Sequence, residues 1–167
     1  AGSRWPHIKD PSEGNYLPFP FFLAYANSLL KKNGIDADLL DAIAESLSES
    51  EFIERILKNN CSILLIETSV PSFFYDMRII EHLSHFGFQI ILCGPNPEIY
   101  KIEFLEENKF INYVLFGEYE FTLLELVESL FQGKKDLSKI KGLIWRDQDN
   151  NVIKNLPREP FDINLLP

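Results

Sequence analysis

The chain has 167 residues, 46% hydrophobic and 25% charged, with 25 acidic side chains against 16 basic ones and a net charge of −9. That size suits one ordinary domain, or a domain with a small appendage, whose core needs no disulfide or metal, and the composition excludes disorder, collagen and coiled coil. The acidic surplus argues against a nucleic-acid partner, no apolar run approaches the roughly 18 residues of a membrane span, and the absence of a signal-peptide pattern together with only two cysteines, Cys61 and Cys93, points to a cytoplasmic setting.

Residues 1–17 read as loop, punctuated by Pro6, Pro11 and Gly14. Pro18 and Pro20 introduce a helix whose apolar positions are Phe22, Leu23, Ala26, Leu29 and Leu30, stopped by Asn33-Gly34. Ile35 to Ile43 reads as a short strand and its exit, and Ser48 with Glu51 as the capping box of the next helix, with Phe52, Ile53, Ile56 and Leu57 on one side. Ser62–Glu67 is a nearly continuous apolar run, as expected of a strand buried on both faces of a parallel sheet. The pattern then repeats: a loop at Thr68–Ser72, a helix from Phe73 to His85 closed by Gly87, a strand at Phe88–Cys93, a loop at Gly94–Pro97 and a helix from Glu98 to Asn108. A strand from Ile111 to Phe116, a loop at Gly117–Glu120 and a helix from Phe121 to Gln132, stopped by Gly133, complete it. Strands alternating with helices predict right-handed crossovers and an α/β fold with a parallel sheet. Gly142–Arg146 and Val152–Lys154 flank a polar turn and read as a β-hairpin, and Pro157, Pro160 and Pro167 mark an extended linker. A doubly wound sheet normally starts with its central strand, and none is visible before the first helix, so a first strand has either been lost or lies upstream of these residues.

In an open α/β sheet, ligands bind beyond the carboxyl ends of the strands. Three short loops are expected at that edge: Thr68–Ser72, Gly94–Pro97 and Gly117–Glu120. Their glycines either make tight turns or let a flat ligand approach the backbone. No Gly-x-Gly-x-x-Gly or Walker motif occurs, which excludes the common nucleotide sites. His82 and His85 sit three apart in a last helical turn, where the dipole favours them; the pairs Lys31-Lys32 and Lys134-Lys135 have the same explanation. His7 lies in the N-terminal loop, either on the ligand edge or in solvent. Cys61 and Cys93 sit at strand ends among apolar neighbours and read as small hydrophobes. The aromatic residues Trp5, Tyr16, Phe19, Phe21, Phe22 and Tyr25 exceed what one helix face buries; most of them are expected in the core, with Trp5 and Tyr16 as the candidates to wall a flat ligand. No catalytic triad or paired catalytic carboxylates stand out.

These elements resemble the cobalamin-binding domain that precedes the barrel of cobalamin-dependent radical-SAM enzymes. The resemblance runs through Leu17-Pro18-Phe19-Pro20, Asn33-Gly34, Asp38–Ala42, Thr68-Ser69-Val70-Pro71, Cys93–Pro97, Phe116-Gly117-Glu118-Tyr119-Glu120, Asp136–Leu143 and Pro157–Pro160. It implies a flavodoxin-like, Rossmann-like three-layer sheet of strand order 2-1-3-4-5 and a cobalamin lying across the strand ends. Its binding residues would be Thr68, Ser69, Val70, Pro71, Gly94, Pro95, Asn96, Gly117, Glu118 and Tyr119. It also implies a division into residues 1–141, the cobalamin-binding-like domain, and residues 142–167, a hairpin and linker toward a radical-SAM barrel in cis. That barrel would hold a [4Fe-4S] cluster and S-adenosylmethionine, for methyl transfer or ring rearrangement. No Cys-x-x-x-Cys-x-x-Cys occurs here, so the cluster chemistry belongs to the barrel. The Asp-x-His-x-x-Gly motif that gives cobalt a histidine is absent, so cobalt would have none beneath it. Cys93 stands where the family often has glycine and would crowd a corrin or its tail. A non-catalytic scaffold of the same fold is therefore the alternative, and a free-standing receiver-like or flavodoxin-like domain a third.

Overall fold

A computed structural model describes residues 19–132 and 136–167. The expectations for residues 1–18, for Gly133 and for Lys134-Lys135 lie outside them. Helix α1 (Phe21–Lys32) ends in a Schellman closure at Asn33: the Gly34 N–H donates to Lys31 O and the Ile35 N–H to Leu30 O, both at 3.0 Å, with Gly34 at φ +76°. Helix α2 (Glu49–Lys58) opens with the expected capping box, in which Ser48 Oγ accepts the Glu51 N–H at 3.3 Å and the Glu51 carboxylate accepts the Ser48 N–H at 2.9 Å. Strand β1 (Ile63–Glu67), helix α3 (Phe73–Ser84) and strand β2 (Gln89–Cys93) follow, then a 3-10 turn (Pro97–Tyr100), helix α4 (Ile102–Glu107), strand β3 (Tyr113–Leu115), helix α5 (Glu120–Gln132) and the hairpin strands β4 (Leu143–Arg146) and β5 (Val152–Lys154).

These strands form one mixed sheet in the order β1-β2-β3-β4-β5. The first three are parallel, and β4 and β5 join antiparallel, with Leu115 opposite Leu143 and Trp145 opposite Ile153. Alternation along the strands sorts the core into two layers. Ile91, Cys93, Leu115 and Leu143 point to the side covered by α1 and α5. Ile90, Leu92, Val114 and Ile144 point to the side of α3 and α4, where α2 packs outside through Ile56 against Ile79 and Leu83. The architecture is the expected three-layer α/β fold.

Three expectations change. Ile35–Asp41 forms neither helix nor strand and joins no ladder among the described residues, and the chain turns at 42–46; alternating apolar and acidic residues make no strand without a ladder partner. The helix expected over 98–108 breaks at Lys101, which is extended at ψ 145°. Ile99 and Leu105 are both fully buried, yet six helical positions place side chains about 120° out of phase away from one face; a break lets both turn inward. Phe19, Phe21 and Phe22 are exposed rather than in the core, at 55%, 55% and 61%, because α1 buries Ala26, Leu29 and Leu30 instead.

Candidate functional site

The three parallel strands end at Glu67, Cys93 and Leu115, so the loops after them share one edge of the sheet. Helix α1 packs on the α5 side of the sheet, and Phe21 and Phe22 in its first turn are exposed.

The first loop is closed from within. The Thr68 N–H donates to Cys93 O at 2.8 Å. Thr68 Oγ1 and Ser72 Oγ both donate to Asp76 Oδ2, at 2.8 and 2.6 Å, and Ser69 Oγ lies 3.0 Å from Ser72 Oγ. All four side chains are buried. Burial raises the Asp76 carboxyl above its ordinary value, against the two hydroxyl donors. Val70 and Pro71 remain exposed above this network, and Phe74, one turn on, is 87% exposed. Ser72 and Asp76 escaped the sequence reading; the signal was the spacing Thr68, Ser72, Asp76, which stacks three polar groups along one line of the chain as it enters a helix.

The second loop is pinned likewise. Gly94, at φ +116°, has the Thr68 carbonyl oxygen 2.2 Å from the place a β-carbon would take. Its own carbonyl accepts the Asn96 N–H at 2.8 Å and the Tyr100 hydroxyl. Asn96 is buried and caps the 3-10 turn, its Oδ1 accepting the Glu98 N–H at 3.1 Å; Pro95 stays exposed. Burial raises the Tyr100 hydroxyl to about 12.

The third loop differs. Gly117 is exposed at φ +76° with open space where a side chain would go. Exposed Glu118 accepts the Phe161 N–H at 3.5 Å, and Phe161 meets Phe121 edge-on at 4.7 Å between ring centres, so this glutamate also holds the C-terminal segment. Tyr119 is buried against Cys93, on the α1 and α5 side. Glu120 Oε2 is buried with no hydrogen-bond partner among the described residues, and the buried Tyr119 hydroxyl has the Cys93 thiol as its neighbour. Burial drives the Cys93 thiol, the Tyr119 hydroxyl and the Glu120 carboxyl upward, so Cys93 is a thiol at neutral pH, without the thiolate a nucleophile needs.

The described residues place all ten expected binding residues along this one edge, five of them buried: Thr68, Ser69, Gly94, Asn96 and Tyr119. His82 and His85 sit at the other end of α3, His85 Nδ1 lying 2.8 Å from Glu81 O. No group of three metal-ligating side chains occurs among the described residues. Two open grooves also lie at the opposite end, one lined by Leu137, Trp145 and Asp147, the other by Lys109, Tyr113 and Asn150. No helix among the described residues is long and apolar enough to cross a membrane.

No family model matches the sequence. The chain is 29% identical over 150 residues to an uncharacterized methyltransferase of Pyrococcus horikoshii, covering 87% of this chain and 31% of that protein. It is 28% identical over 160 residues to the anaerobic magnesium-protoporphyrin IX monomethyl ester cyclase of Synechocystis, covering 91% of this chain and 31% of that protein. The chain thus spans about a third of the length of these relatives. Among solved structures, the radical S-adenosylmethionine methyltransferase TsrM of Kitasatospora setae, with cobalamin and a [4Fe-4S] cluster bound, matches at TM-score 0.66 and 17% identity over 86% of this chain and 27% of its own. The cobalamin-dependent S-adenosylmethionine radical enzyme OxsB, with aqua-cobalamin and S-adenosylmethionine bound, matches at TM-score 0.69 and 16% identity over 85% of this chain and 20% of its own. At these identities the two structures establish a shared α/β fold.

Proposed function

We propose that this chain is the cobalamin-holding α/β part of a larger radical-SAM protein, and that its strand-end loops carry the corrin toward a barrel in cis that binds a [4Fe-4S] cluster and S-adenosylmethionine. The observation that supports this is the convergence of the three strand-end loops on one edge of the sheet, where Gly117 is exposed with open space in the direction of a side chain. At the end of that loop Glu120 Oε2 is buried without a hydrogen-bond partner among the described residues; such an atom costs about 1–3 kcal/mol, and a macrocycle fringed with carboxamides would bring donors to this edge. Exposed Val70, Pro71 and Phe74 would cover apolar ring surface; Pro95, Gly117 and Glu118 would lie against its edge, and Thr68, Ser69, Gly94 and Asn96 would hold the loops in shape. The described residues put no imidazole at this edge to bind cobalt from below. Bound cobalamin would supply a cobalt able to carry a methyl group, while the protein binds and orients it. The larger protein's reaction would be methyl transfer or ring rearrangement, in keeping with the methyltransferase and cyclase among its relatives.

Titration with hydroxocobalamin is expected to shift the visible spectrum and leave the cofactor with the protein after desalting. An unchanged spectrum with no retention would overturn the reading. One observation favours a second reading, a scaffold of the same fold that holds no cobalamin: the Cys93 side chain is fully buried beneath the strand ends, packed with Tyr119. If cobalamin binds only to the Cys93→Gly variant, the scaffold reading is correct.

A further inference from the structure

We propose that the groove between Lys109, Asn112, Tyr113, Arg146 and Asn150 binds a phosphate dianion, either free or carried on a small organic group. The proposal goes beyond the cobalamin reading and is independent of it. The groove lies where the parallel strands begin, and the candidate site lies where they end.

The topology brings these residues together. The antiparallel register sets Val114 opposite Ile144, and continuing it along both chains puts Asn112 across from Arg146. The exit of α4 adds Lys109, and the turn between β4 and β5 adds Asn150. The cavity they line has a volume of about 300 Å³, which is at the small end of the range for small-molecule sites.

Every lining side chain can donate a hydrogen bond, and none is acidic. Arg146 donates through its terminal nitrogens to the carbonyls of Ile111, Leu105 and Asn108, and its Nε–H has no partner among the described residues. Asn112 Oδ1 accepts the Ile90 N–H at 2.7 Å, which leaves the amide N–H groups as donors. Burial raises the Tyr113 hydroxyl above its ordinary value, so it keeps its proton at neutral pH. Asn150 is exposed in the hairpin turn at φ +66°.

Charge points the same way. The chain carries a net charge of −9, and seven of its described lysines and arginines form ion pairs. Lys109 and Arg146 form none among the described residues, so two cations share one groove of an acidic molecule without a protein counter-charge. The adjoining groove shares Arg146 and holds Asp147 and Asp149. The Asp147 carboxylate is taken up within the turn, where it accepts the Asp149 and Asn151 N–H groups at 2.9 and 2.8 Å. Two cations ringed by neutral donors suit a phosphate, with its double charge and several acceptor oxygens, better than a singly charged carboxylate. The acidic surplus repels nucleic acid and anionic membranes, so the ligand is a small molecule.

The test is a titration of the 167-residue chain followed by nuclear magnetic resonance of the side-chain N–H groups of Asn112, Asn150 and Arg146. It is run at fixed ionic strength and about pH 8, above the second ionisation of a phosphate ester at about 6. The probes are inorganic phosphate and glycerol phosphate. Saturating shifts of all three signals are expected; tighter binding of glycerol phosphate assigns the site to an ester, and equal binding assigns it to the free ion. Lys109 is exposed, so Lys109→Gln is expected to weaken binding about fivefold with an unchanged urea midpoint, and Lys109→Arg to retain it. Shifts that never saturate, shifts that sodium chloride reproduces at equal ionic strength, or undiminished affinity in Lys109→Gln would overturn the proposal. Hydroxocobalamin is expected to leave these three signals in place, so this result and that of the cobalamin titration are read separately.

Discussion

Gly94 and Gly117 carry the same expectation from sequence, room for a ligand near the backbone, and the structure divides them. At Gly94 the space of a side chain is filled by the Thr68 carbonyl, 2.2 Å from the β-carbon position, and by Glu67 Cγ at 2.9 Å, with φ at +116°. At Gly117 the same direction is open and only the backbone angle, φ +76°, disfavours a side chain. Gly94→Ala is therefore expected to cost about 3 kcal/mol or more, through clash and strain together, and Gly117→Ala about 1–2 kcal/mol, the left-handed penalty alone. Urea midpoints of the two variants check this; equal losses would mean that the approach of Thr68 to Gly94 is not a constraint. Gly142 is explained by contact as well, with Thr122 Oγ1 at 2.9 Å from its β-carbon position. Which glycine faces a neighbour and which faces solvent depends on loops far apart in the chain, so glycine spacing marked the edge of the candidate site but not its open part. The same limit hid the meeting of Cys93 with Tyr119, 26 positions apart.

At the scale of elements, the entry to α3 makes a prediction with a sign. Burial raises the Asp76 carboxyl, with Ser72 and Thr68 as the opposing donors. A carboxyl whose folded value lies above its unfolded one binds its proton more readily when folded. It therefore favours folding below the unfolded value of 3.8, and that contribution is lost as pH rises through the folded value. Asp76→Asn keeps an acceptor for both hydroxyls and carries no charge. At neutral pH it is expected to be at least as stable as the parent chain, and the parent is expected to gain on it as pH falls toward 3.8. Asp76→Ala, which leaves both hydroxyls without their acceptor, is expected to cost about 1–3 kcal/mol. Parallel stability curves for the parent and Asp76→Asn would refute the argument. Elements set by local signals were legible: the Ser48–Glu51 box, the Asn33-Gly34 stop and the apolar runs of β1 and β2 all appear where the sequence puts them. Elements that depend on a partner were not. The alternation in Ile35–Asp41 is a strand's, but a ladder needs a neighbour. The break at Lys101 answers to where Ile99 and Leu105 must point, which the core decides.

For the whole molecule, the question is where the folding unit stops. The sequence suggests a boundary between residues 141 and 142, with the hairpin grouped with the linker. In the sheet, β4 pairs with β3, and Leu143 and Ile144 are each fully buried, one in each core layer. Arg146 donates to the carbonyls of Ile111, Leu105 and Asn108, tying the hairpin to the end of α4. Asn155 receives the Trp145 indole N–H at 3.2 Å and donates to Leu137 O and Ile140 O at 2.7 and 2.8 Å. Beyond it the contacts thin to Leu156 O accepting the Gly142 N–H, Arg158 on Thr122 and Glu125, and Phe161 on Phe121 and Glu118. Burying an aliphatic side chain is worth about 1.5–3 kcal/mol. Losing Leu143 and Ile144, and uncovering Val114 and Leu115 behind them, therefore removes an amount comparable with the 5–15 kcal/mol that typically holds a domain together. A chain ending at Lys141 is expected to lose its cooperative urea transition, whereas one ending at Pro157 keeps it with a midpoint only modestly lowered. If the chain ending at Lys141 unfolds as sharply and as late as the full one, the hairpin is an appendage, and the folding unit ends before the antiparallel strands begin.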